Sequence, residues 1–118
     1  MENKYLNKIT TLLKQVRPKL STTHKLKFKN VFGATGGYVN DKIFISWGKF
    51  GVALKLPKEI LGTLFLEKDI KHLKYFSKGH VKKEYAVLPK RVLKNKSRMK
   101  KLVDESIKYL LSLWGRKH

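Results

Sequence analysis

The chain predicts an α+β fold: a two-layer domain with an antiparallel β-sheet packed against N-terminal, middle and C-terminal helices. Two patterns carry that expectation. Apolar residues recur at helical spacing near both ends of the chain and in a short central stretch, and at alternating spacing in the segments between. Turn signals of hairpin type join most of the alternating segments, as in an antiparallel sheet. The 118 residues suit a single domain spanning 1–118, since domains of about 100–150 residues are the commonest. They are too few for a complete dinucleotide-binding enzyme or for a (β/α)₈ barrel of about 250 residues.

Residues 2–16 carry Tyr5, Leu6, Ile9, Leu12, Leu13 and Val16 three and four apart, with Lys4, Lys8 and Lys14 between them. That is an amphipathic helix, and Pro18 ends it. From Lys25 the period becomes two. Leu26 and Phe28 share one face of a strand, while Lys25, Lys27 and Lys29 share the other. These lysines either guard a half-exposed strand against edge pairing or form a phosphate-contacting stripe.

Gly33-Ala34-Thr35-Gly36-Gly37 looks like the opening of a dinucleotide fingerprint, but that motif requires the glycine loop to start a helix. Here the loop runs into Tyr38-Val39, an Asn40-Asp41 turn and the strand Ile43-Phe44-Ile45-Ser46. Turn or bulge geometry is therefore the expected use of the glycines. Gly48 and its neighbours turn the chain into a strand over 51–56, with Val52, Leu54 and Leu56 on one face.

Pro57 suits the first turn of a short helix carrying Ile60, Leu61, Leu64 and Phe65. Residues 67–80 are polar and basic, anchored by Leu73, Tyr75 and Phe76, and no strand is assigned there. Glu84-Tyr85-Ala86-Val87-Leu88 is a strand closed by Pro89. Asn95 is the N-cap expected for a final helix over about 96–114. Its apolar stripe is Met99, Leu102, Val103, Ile107, Leu110, Leu111 and Trp114, and Arg98, Lys101, Asp104, Glu105 and Lys108 lie toward the outside.

Charge is the strongest compositional signal. Lys+Arg number 28 against 8 Asp+Glu, a formal net charge of +20, and only Arg17, Arg91, Arg98 and Arg116 are arginines. Lysine is an ordinary solubilising residue, but acids are absent altogether between Glu2 and Asp41 and between Glu84 and Asp104. Such a field attracts polyanions, nucleic acid first. At 42% hydrophobic and 11% aromatic residues the chain has enough apolar material to fold.

An ordered series of short motifs then becomes specific: Phe32-Gly33, Gly36, Tyr38-Val39, Asp41-Lys42-Ile43-Phe44, Leu54-Lys55-Leu56-Pro57 and Glu84-Tyr85-Ala86-Val87-Leu88-Pro89. Over about residues 5–114 the chain resembles the N-terminal domain of the TfoX/Sxy competence-regulator family. Members typically carry FGG-x-G-x-Y-V, G-K-x-F and Y-x-x-L-P segments. Ala34 replaces the second glycine of that pattern, Asp41 stands where a turn glycine is common, and the chain is more basic than a typical member. The resemblance implies a two-layer α+β fold, a link to transcription of DNA-uptake genes, and no catalytic residues. Full-length members carry a second, helical domain, which has no counterpart before His118; a stand-alone module is the expectation.

Catalytic chemistry finds no footing in the residues themselves. Without cysteine there is no disulfide, thiol nucleophile or Cys-ligated metal. His24, His72, His80 and His118 lack metal-ligand spacing and read as surface or loop residues. No serine sits in GxSxG, and the acids form no obvious catalytic pair. The expectation is a non-enzyme without cofactor or metal, cytoplasmic, with neither signal peptide nor transmembrane segment.

Nucleic acid is the favoured partner, held mainly through phosphates. The preferred patch is Lys82, Lys83, Lys90, Arg91, Lys94, Lys96, Arg98, Lys100 and Lys101, with Lys25, Lys27 and Lys29 second. Trp47 and Trp114 are either core caps or base-stacking platforms. An acidic protein partner is the alternative, and attachment to an anionic membrane surface a third possibility.

Overall fold

The computed structural model describes residues 4–75 and 78–116, the last three as backbone only. Helix α1 (Lys4–Val16) and one-turn α2 (Leu20–Thr23) precede a four-strand meander. Its strands are β1 (Leu26–Val31), β2 (Ala34–Val39), β3 (Lys42–Gly48) and β4 (Gly51–Lys55). Helix α3 (Lys58–Leu64), strands β5 (Lys71–Leu73) and β6 (Lys82–Leu88), one-turn α4 (Lys90–Leu93) and long α5 (Lys96–Arg116) complete the chain. The six strands form one sheet in the order β1-β2-β3-β4-β6-β5, every neighbouring pair antiparallel. The α+β, two-layer architecture is as expected.

The helices cover one face of the sheet. Ile9, Leu12, Leu13 and Val16 of α1 and Met99, Leu102, Val103, Ile107 and Leu110 of α5 join Val39, Phe44, Ile45, Val52, Leu54 and Leu88 in one core. The expected stripes of both helices are thus its walls, although Leu111 is exposed and the Trp114 side chain lies outside the described residues. Ser106 on α5 donates its buried hydroxyl to the Lys55 carbonyl at 2.6 Å, fastening helix to strand. The register between β2 and β3 shifts at Gly37/Tyr38, and Phe44 and Ile45, adjacent in sequence, both join the helix-facing core. A β-carbon on Gly37 would lie 2.7 Å from Ile45 Cγ2, so the bulge geometry expected of this segment leaves no room for a side chain there.

The other face carries a smaller cluster of Ala53, Leu73 and Tyr85, flanked by Ile43, Phe50, Tyr75 and Val87. Leu73 belongs to β5, an edge strand not assigned from sequence. Three residues with a register shift at His72/Leu73 are too few to show a period of two. Helices α2 and α4 escape for the same reason, each being four residues long. Pro57 and Pro89 occupy the N-caps of α3 and α4, and Asn95 caps α5, its Oδ1 accepting from the Arg98 N–H at 3.1 Å.

Candidate nucleic-acid interface

The sheet has two chemically distinct ends, and the register shows which residues share each. Val31 pairs with Ala34, Thr35 with Trp47, Gly48 with Gly51 and Val52 with Leu88. The β1–β2 turn, the β3–β4 turn and α4 therefore meet at one end. Lys25, the Asn40-Asp41 turn and Lys82-Lys83 lie at the other.

That geometry divides the expected patch. Roughly 20 Å of extended strand separates Lys83 from Lys90, so Lys82 and Lys83 sit at the opposite end from the α4–α5 corner. Lys90, Lys94, Lys96, Lys100 and Lys101 are all exposed at or near that corner. Lys101 also lines a groove of about 500 Å³ between α3 and α5, whose lining includes Glu59 and Glu105.

Arg91 and Arg98 differ from the lysines. Arg91 grips Asp69 through Nε at 2.7 Å and Nη2 at 2.5 Å, and reaches Glu67 at 2.8 Å. Arg98 holds both oxygens of Glu67, one at 3.1 Å and the other in a shorter contact. The two arginines thus tie the α3–β5 connection to α4 and α5. Arg98, expected toward the outside, is half-buried in this network, and Asp104 is ion-paired to Arg17 just beyond α1. Every arginine with a described side chain holds a carboxylate.

Hydrogen bonds from Arg98 and then Arg91 hold the Glu67 carboxyl down at about 2, against an ordinary 4.5. Arg91 likewise lowers Asp69. A carboxylate with a depressed folded-state pKa adds stability above its unfolded pKa and loses it as pH falls through the folded one. The thermal midpoint should accordingly drop between about pH 4.5 and 2. In Glu67→Gln that part of the slope should flatten, which thermal melts across the range would measure.

Lys25, just before β1, and Lys27 and Lys29 on it are exposed, opposite the half-buried Leu26 and Phe28, as the alternation predicts. Lys25 pairs with Asp41 at 3.5 Å, and Lys29 lies 5.1 Å above the Tyr38 ring. Lys27 is opposite Tyr38 in the register. This stripe is on the sheet face away from the helices and cannot form one flat surface with the α4–α5 lysines. Trp47 is half-buried against the helix-side core. It borders a groove of about 370 Å³ with Lys8 and Lys94 at its rim.

Among the described residues no group of three His, Asp or Glu could hold a metal ion, and no helix is long and apolar enough to cross a membrane. The assembly is a small antiparallel α+β domain whose described arginine side chains hold carboxylates and most of whose described lysines are exposed. The chain belongs to the TfoX N-terminal domain family, which matches residues 19–110. The match takes in every motif from Phe32 to Pro89, while helix α1, within the expected extent of about 5–114, falls outside it. No curated protein and no solved structure is significantly similar to the chain.

Proposed function

We propose that this domain is a non-catalytic, nucleic-acid-associated accessory or regulatory module that attracts phosphates through lysines of the α4–α5 corner. The supporting observation is a cluster of exposed lysines at that corner, beside arginines that already hold carboxylates. Asp41, Glu67, Asp69, Glu84 and Asp104 all take part in ion pairs. Lys90, Lys94, Lys96 and Lys100 have no carboxylate partner among the described residues. A lysine is a mobile point charge without the planar fork that reads guanine, so these contacts favour backbone over base sequence.

Fluorescence anisotropy of a labelled duplex, titrated at several salt concentrations, tests this reading. Log affinity should fall with log salt at about 0.9 per phosphate contact, hence with a slope of about 3 to 4 for four lysines. An acidic polypeptide that displaces DNA equally well would count against nucleic acid as the partner and favour an acidic protein.

A further inference from the structure

Two hairpin turns of the meander share positive φ at both central residues but differ in chemistry. Asn40 and Asp41 adopt φ 50° and 68°, and Phe32 and Gly33 adopt φ 48° and 81°. Asn, Asp and Gly are the residues that tolerate this left-handed geometry, and a bulky aromatic there is strained. Burial does not account for the strain, because Phe32 is 64% exposed.

Its neighbours suggest what the ring is for. The Tyr75 ring lies 5.2 Å from that of Phe32 at 60°, and Phe50 lies 5.5 Å from Tyr75 at 89°. The Tyr75 hydroxyl donates to Ser46 Oγ at 3.3 Å, which fixes the ring over the sheet. A cleft of about 460 Å³ opens between the three rings, with Lys49 and Lys74 on its wall and no carboxylate among the described residues that line it. It lies at the same end of the sheet as the α4–α5 corner.

We propose that this cleft binds an unpaired base of a single-stranded nucleic acid, with Phe32 stacked on the base and Lys49 and Lys74 at the flanking phosphates. The inference rests on the nucleic-acid reading and adds strand state to it. Cations beside an exposed aromatic face, with no acid between them, complement a base and its phosphates. A duplex keeps its base faces stacked internally and could use only the lysines.

The test compares a single strand of about 16 nucleotides, the upper site size of a small single-strand-binding fold, with the duplex of the same sequence at matched salt. Wild-type protein should prefer the single strand. Phe32→Asn puts a turn-compatible residue at φ 48°, so it should melt no lower than wild type. It should lose about tenfold or more in single-strand affinity, the size of one base–aromatic stack, and keep its duplex affinity. Phe32→Tyr should restore the preference. If wild type binds neither form, the nucleic-acid reading itself fails. If it binds both and Phe32→Asn changes neither affinity, only the stacking site is overturned. Should Phe32→Asn melt lower, the exposed pair Lys49→Ala and Lys74→Ala carries the test, and unchanged single-strand affinity in that variant overturns the proposal.

Discussion

Replacing Lys90, Lys94, Lys96 and Lys100 by Glu should lower duplex DNA affinity by about 100-fold or more near 0.1 M salt, and the salt slope should fall by about 3 to 4. All four side chains are exposed and lack a carboxylate partner among the described residues, so the melting temperature should hold. Arg98→Glu is the instructive contrast. It sets two carboxylates against each other where Arg98 now holds Glu67, and its first effect should be on stability. Anisotropy and thermal melts on both variants separate the two roles. Retained DNA binding in the lysine variant would remove the α4–α5 corner as the interface.

Phe44→Ala should cost about 3–5 kcal/mol of unfolding free energy, the range for truncating a buried aromatic ring. Phe44 is fully buried and stands at the register shift between β2 and β3, where it and Ile45 both enter the helix-side core. A cavity there lies between the sheet and both long helices and has little means of collapsing. Since domains of this size hold about 5–15 kcal/mol in total, the variant should unfold at markedly lower urea, with the midpoint as the readout.

Much of this architecture was legible because long elements repeat their pattern. The stripes of α1 and α5, the alternation in β1 and the Asn95 cap each offer several residues or a known capping chemistry. Elements of three or four residues, β5, α2 and α4, offer no period and become visible only through their pairing or packing. The basic surface was legible by composition but not by direction. Nothing local to Arg91 or Arg98 reveals that Glu67 and Asp69, more than twenty positions earlier, hold them. Nor does the charge run show that Lys82 and Lys83 stand at the far end of β6 from Lys90. The Phe32 turn did carry a signal: Phe-Gly stands where hairpin chemistry favours Asn-Gly.

The strand order also bears on how the molecule assembles in time. β1 to β4 are joined by tight turns, so their pairing closes short loops. The pairing of β4 with β6 must instead close the loop formed by residues 56–81. Short closures are entropically cheaper and faster, which favours the meander as the early product and the docking of β6, α4 and α5 as the late one. Phe32 and Phe50 belong to the first of these and the α4–α5 lysines to the second. A nascent or partly unfolded chain would therefore hold the aromatic residues without the lysine corner, and only the completed fold presents the two surfaces together.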